Sequence, residues 1–255
     1  MVAYPSDLHR KAAEKFVELF SVNQHVESIL LVGSCARGRA TTDSCVDITI
    51  LLDDMAHASH LEKEVGEACM NVRELKELEG AGRFSHLDLN LTDGKLLPVK
   101  RGWTSGPDNF ELEIGNTFVY SHLLYDRRGR FEALGNVFLP YYDETLRKRR
   151  LAEVKRYMFN NLEHIPLYAG RGLHFQCFER LLNASREYLQ ALFISRKTYP
   201  IAYDKWIKEQ MVEILDMPEG YIELTSLFQI GNLESDELVQ KATLLRSMAE
   251  RDILQ

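Results

Sequence analysis

Only four of the 255 residues are cysteine, at positions 35, 45, 69 and 177, and no two stand in a C-x-x-C pair. That spacing excludes a zinc ribbon or a dense disulfide framework and points to free thiols in a reducing compartment. No apolar run reaches the ~20 residues that a membrane-spanning helix needs, and MVAYPSDLHRKAAEKF lacks the apolar centre of a secretory leader. Positive charge is also in deficit: 31 Lys and Arg against 38 Asp and Glu give a net charge of −7. A general nucleic-acid binder carries a basic surface, so this balance argues against one while leaving room for a local cationic pocket. Internal repeats and low-complexity tracts are missing too. The composition, 45% hydrophobic and 27% charged, is that of a soluble globular protein, and cytoplasmic location is the expectation. The length suits one large domain or two modest ones.

The first half mixes two periodicities. Pro5-Ser6-Asp7 opens a helix whose apolar positions run from Ala12 to Phe20. Ile29–Val32 and Val46–Leu52 are short aliphatic runs suited to buried strands, separated by a turn of helix over 35–40 and a polar turn over 41–44. A charged segment, 60–79, has one apolar face and reads as a single amphipathic helix. Leu87, Leu89 and Leu91 alternate with Asp88 and Asn90, the period of a half-exposed strand. A short edge strand is expected over 95–99 and a loop over 103–109, while 110–124 is ambiguous, with part helix and part strand both open. From about Tyr141 the alternation stops. Segments 146–161, 175–194, 203–215 and 235–254 have helical spacing, punctuated by Pro and Gly. The expected architecture is therefore α+β, with a mixed α/β domain over 1–140 and an all-α helical bundle over 141–255.

The stretch from Ser28 to Asp54, SILLVGSCARGRATTDSCVDITILLDD, is where chemistry concentrates. Glycine at a strand-to-helix turn lets backbone N–H groups approach a phosphate, and a helix start favours its charge. Cys45 and Asp47 share one face of a strand because they are two residues apart. If the strands are neighbours, Asp88 converges on Asp47, and such paired carboxylates hold a divalent metal against a nucleotide. The competing interpretation is that both acids simply face water at strand ends.

The segment GSCARGRATTDSCVDITILL resembles the signature of the nucleotidyltransferase superfamily with the DNA-polymerase-β-like fold. The resemblance rests on Gly33-Ser34, Ala36-Arg37-Gly38, Ala40, Asp43-Ser44 and Asp47 followed by apolar residues, about twenty residues in all. It implies a polymerase-β-like N-terminal domain, with Gly33, Ser34, Arg37 and Ser44 at the nucleotide. It further implies Asp47 and Asp88 as catalytic metal-binding acids, Mg2+ as the metal and ATP or another nucleoside triphosphate as co-substrate. The signature normally reads Ser-Asp-apolar-Asp, whereas here it reads Ser44-Cys45-Val46-Asp47. Magnesium prefers oxygen, so a thiol in place of the first acid is a poor ligand.

More weakly, the helical half is similar to the C-terminal bundle of small-molecule adenylyltransferases of the aminoglycoside and lincosamide type. That similarity makes Lys205, with Tyr203 beside it, the candidate cation site for the triphosphate; Arg196 and Lys197 are second choices. It implies AMP transfer to a hydroxyl of a small-molecule acceptor, an antibiotic among the options. Long helices such as 175–194 could support a dimer interface, so monomer and homodimer both stay open. The alternatives are a catalytically impaired nucleotide-binding protein of the same fold and a transferase acting on a protein or RNA. His86 is read as a strand-end histidine bonded to backbone, with a base beside Asp88 as the alternative; a solvated surface charge is the competing interpretation for the lysines and Arg196, and a core aromatic for Trp206. Trp103, Phe110, Glu111, Glu113 and Glu163 are possible acceptor contacts that the sequence does not separate from core or surface residues.

Overall fold

The computed structural model describes residues 4–253. In chain order the elements are α1 (Asp7–Phe20), β1 (Val26–Leu31), α2 (Gly33–Ala36), β2 (Val46–Leu52), α3 (Ala58–Asn71), α4 (Arg73–Glu79), β3 (Leu87–Thr92) and α5 (Phe110–Ile114). They continue with β4 (His122–Asp126), α6 (Arg130–Phe138), α7 (Glu144–Ala169), α8 (His174–Ser195), α9 (Pro218–Ser226) and α10 (Glu237–Ile253). The chain forms two compact units. One contains the residues up to Leu96 together with Ile114–Pro140, and the other contains Leu97–Glu113 and the residues from Tyr141 onward. The division drawn from the sequence places 97–113 with the first domain, whereas here this segment groups with the helices.

The first unit is built on a mixed sheet of order β3-β2-β1-β4. β1 runs antiparallel to both β2 and β4, and β2 runs parallel to β3. Its core sets Phe16 and Phe20 of α1 against Ile29, Leu31, Ile48 and Ile50 of the central strands. Central strands covered by helices are expected to be aliphatic along most of their length, and β2 is buried at every position but Asp47. Ser6 caps α1 by accepting from the His9 N–H at 3.4 Å, the role expected of serine before a helix.

Two local expectations are revised and one ambiguity is resolved. The helix predicted over 60–79 is two helices, broken at Val72, which is extended at φ −87° and ψ 126°. The break lets Leu61 and Val65 of α3 and Leu75 and Leu78 of α4 all enter the core. No strand forms over 95–99: Gly94, at φ 75°, turns the chain away from β3, held by Thr92 and Asp93 side chains that accept from Gly94 N and Lys95 N at 3.0 Å. The ambiguous segment 110–124 contains α5, a π-helical turn at Gly115–Val119, and the start of β4.

The second unit is a helical bundle around α7 and α8. Asp143 caps α7 by accepting from Leu146 N at 2.9 Å. Val154, Met158, Leu162 and Ile165 of α7 pack with Leu181, Ala184, Tyr188 and Leu192 of α8. The helix expected over 203–215 starts late and includes a π-helical turn at Glu209–Ile214. Buried Gln210 explains this. Its Oε1 accepts from Ile201 N at 2.7 Å, and its Nε2 donates to the Ala202 and Lys205 carbonyls at 2.8 and 3.1 Å. Those bonds satisfy backbone groups in a loop conformation that helix would otherwise claim. Among the described residues, no helix is long and apolar enough to cross a membrane.

Candidate functional site

The site is assembled where β1 ends and β2 begins. Leu31 pairs with Ile48, and Val32 N donates to the Asp47 carbonyl at 2.9 Å. The next residue, Gly33, has φ +66°, and a Cβ placed there would lie 1.9 Å from Asp47 Oδ2. Both the left-handed conformation and the close approach require glycine. The backbone of the turn therefore lies directly against the Asp47 carboxylate. Ser34 follows on α2, with its carbonyl accepting from Arg39 N at 2.9 Å. Arg37 Nη1 donates to the Gly33 carbonyl at 3.0 Å, bracing the turn.

The parallel pairing of β2 and β3 places Asp88 opposite Asp47, with Val46 opposite Leu87. Asp47 is half-buried and Asp88 exposed. Leu87, Leu89 and Leu91 turn inward, half-buried, as their alternation predicts. The geometry thus brings Gly33, Ser34, Arg37, Asp47 and Asp88 to one end of the sheet.

Cys45 joins them. Its Sγ donates to Asp47 Oδ1 at 2.9 Å, and its thiol is pushed up to about 12, first by burial and then by the adjacent Asp47 carboxylate. The thiol is therefore protonated and serves as a donor to the acid. Buried Cys35 donates to the Cys45 carbonyl at 3.4 Å and is raised to about 11 by burial, with Asp47 adding to the shift. Asp43 is engaged elsewhere: its Oδ1 accepts from Arg83 N at 3.2 Å in a neighbouring turn. The donor set available to a cation is two carboxylates, Asp47 and Asp88. Their oxygens fit a hard divalent ion, and Cys45 adds no third oxygen.

Residues 9–86 match the nucleotidyltransferase domain family. The match covers β1, the Gly33 turn and β2, and it stops just before Asp88. A solved nucleotidyltransferase-like protein from Exiguobacterium sibiricum has a similar fold, with a TM-score of 0.50 at 12% identity over 96% of this chain and 75% of that one. No curated protein matches. The nucleotidyltransferase-like region also contains a second cluster of metal-ligand type, His25, Asp53 and His57. It lies at the opposite end of β1 and β2 from Gly33 and Asp47.

Ser44 has a different local role from a free hydroxyl. Its Oγ accepts from Thr41 N at 2.9 Å, closing the polar turn before β2. Its carbonyl is 3.0 Å from Nε2 of His9, whose Nδ1 lies 2.7 Å from Ser6 Oγ. Fully buried His9 therefore fastens α1 to the signature turn. It went unnoticed in the sequence because its partner is 35 residues away. His86 is exposed and its Nδ1 pairs with the Phe84 carbonyl at 2.8 Å.

Tyr203 and Lys205 belong to the second unit. Tyr203 is buried, and its hydroxyl is raised well above the usual value by burial. It lines a cavity of about 230 Å³ with Leu189, Ile207, Tyr221 and Phe228. Lys205 is exposed. Of the possible acceptor contacts, buried Glu111 is committed to Arg150, which donates to it at 2.8 and 3.0 Å. Phe110 is likewise core, 3% exposed. Exposed Glu163 lies 3.4 Å from Arg246, and Lys197 is 3.1 Å from Glu144. Trp103 is half exposed, with its ring 5.1 Å from that of Tyr157. Trp206 is 37% exposed and is not a core aromatic.

Proposed function

We propose that this protein transfers a nucleoside monophosphate, AMP from ATP, to a hydroxyl of a small molecule, with antibiotics of the aminoglycoside or lincosamide type as the first acceptors to test. The reading is carried by the pairing of Asp47 with Asp88 across β2 and β3, beside the Gly33 turn. In the transfer, the acceptor oxygen forms a bond to the α-phosphorus, the bond between that phosphorus and the bridging oxygen breaks, and pyrophosphate leaves. Asp47 and Asp88 would hold Mg2+, which supplies charge neutralisation at the phosphates. Asp88, the more exposed acid, takes the acceptor proton. Gly33 and Ser34 offer the turn backbone and a hydroxyl to phosphate, and Arg37 braces that turn. Asp47→Asn is expected to abolish Mg-ATP binding by calorimetry and acceptor-dependent pyrophosphate release. Parent-like values for both would overturn the proposal.

A second reading, a nucleotide-binding protein with impaired turnover, is favoured by one specific observation: the Cys45 thiol occupies Asp47 Oδ1 at 2.9 Å. Cys45→Asp separates the two. A rise in pyrophosphate release identifies a weakened transferase, whereas ATP binding without turnover in both forms identifies a binding protein.

A further inference from the structure

The far end of the β1–β2 pair carries a cluster that the nucleotide site does not use. Val26 pairs with Leu52, and Asp53 N donates to the His25 carbonyl at 3.1 Å. His25 and Asp53 thus stand side by side just beyond their strands, with His25 Nδ1 3.1 Å from Asp53 Oδ2. Asp54 then caps a short 3-10 turn, Met55–His57, by accepting from Ala56 N at 2.8 Å. That turn carries His57 back over His25, with ring centroids 3.5 Å apart and planes at 19°. One potential ligand atom from each of the three residues lies within 4.8 Å of the others.

The supporting chain is fixed from below. Arg127 donates to the Ser21, Asn23 and Val26 carbonyls at 3.0, 2.6 and 3.1 Å, and Asn23 Oδ1 accepts from His25 N at 3.0 Å. Nε and Nη2 of the guanidinium thus bond the backbone on both sides of His25. His57 sits half-buried on a short turn. An imidazole binds a metal in its own plane, so a χ rotation of His57 is what converts the stack into a pair of ligands. Two imidazole nitrogens and one carboxylate suit zinc and its borderline neighbours far better than magnesium.

We infer that His25, Asp53 and His57 form a binding site for a divalent transition metal of the zinc class, with three protein ligands and one open position. At about 3.3 Å per residue, the length of β1 and β2 separates it from the Asp47–Asp88 pair by roughly 15–20 Å. This site is independent of the proposed transferase reaction, and the experiment keeps the two apart.

Calorimetric titration of the full chain with Zn2+ is expected to give one site. Binding should weaken at least roughly tenfold in His25→Ala and in His57→Ala, since each removes one of three ligands. It should persist in Asp47→Asn/Asp88→Asn. Cobalt loading should give a d–d spectrum without a thiolate charge-transfer band. Far-UV circular dichroism of each variant checks folding. No saturable Zn2+ binding by the parent, binding unchanged in folded His57→Ala, or loss of binding on Cys45→Ser would each overturn the assignment.

Discussion

Among the described residues of the sheet-bearing unit no acid, lysine or arginine is fully buried, and the acids of the candidate site stand at strand ends where water reaches them. In the helical unit charge is buried in the middle of the packing. Arg150, 1% exposed, donates to Asp108 at 2.6 and 2.8 Å and to Glu111 at 2.8 and 3.0 Å. Gln190 donates to the same Glu111 oxygen at 2.8 Å. A second run links Arg101 to Glu187 at 3.3 Å, Glu187 to Asn161 at 2.9 Å and Asn161 to Arg180 at 2.7 Å. Arg101 and Asp108 lie on the 97–113 segment, which these bonds tie to α7 and α8. A strand face positions polar groups by alternation alone. A helical bundle that must anchor a largely irregular segment does so with charges that are costly if left unpaired.

The largest expected effect tests that contrast. Arg150→Ala leaves Asp108 and Glu111 without their main cation, and removing one member of a buried ion pair costs about 3–5 kcal/mol. Urea unfolding of the helical unit should show that loss, and a change below about 1 kcal/mol would show that the network is not fixing the segment.

Next is Glu187, whose carboxyl is raised to about 7 chiefly by burial, with Asn161 and the arginines pulling the other way. The native state therefore holds a proton that the unfolded chain releases near 4.5. Stability associated with this group is complete below about pH 4.5 and is lost as pH rises to about 7, by about 3 kcal/mol. Glu187→Gln should remove that slope from a plot of unfolding free energy against pH, relative to the parent. Parallel plots would show that Glu187 is charged throughout.

The smallest effect on stability is expected in the sheet unit. Gly33→Ala places a side chain in the left-handed region, which costs about 1–2 kcal/mol, and drives the new Cβ into the Asp47 carboxylate. Thermal unfolding should register that modest loss, while Mg-ATP binding should fall far more. A variant that unfolds early yet binds ATP normally would break the link between the turn and Asp47.

The first unit was the more legible because its chemistry lies within local patterns. Alternation located β3 and faced Asp88 outward, and the apolar runs located β1 and β2. The pairing partner of each strand was not encoded locally, so neither the parallel register that sets Asp47 beside Asp88 nor the sheet order could be read directly. The buried charges of the bundle did leave a signal: Arg150 and Asn161 stand at helical spacing with Val154, Met158 and Ile165, inside the apolar stripe of α7. Polar residues in such a stripe have partners, but those partners lie on 97–113 and α8, up to 42 residues away in Arg150–Asp108. His25 and His57 were invisible for the same reason.

By itself the sequence determined the α+β character and the glycine turn, because each follows from composition or short-range periodicity, while the resemblance to the nucleotidyltransferase signature singled out Cys45. Only tertiary structure decided what Cys45 does there, a protonated thiol bonded to Asp47, because burial and a carboxylate neighbour set its charge. It also decided that 97–113 joins the helices and that His25, Asp53 and His57 meet, because both depend on contacts between residues that no local pattern connects.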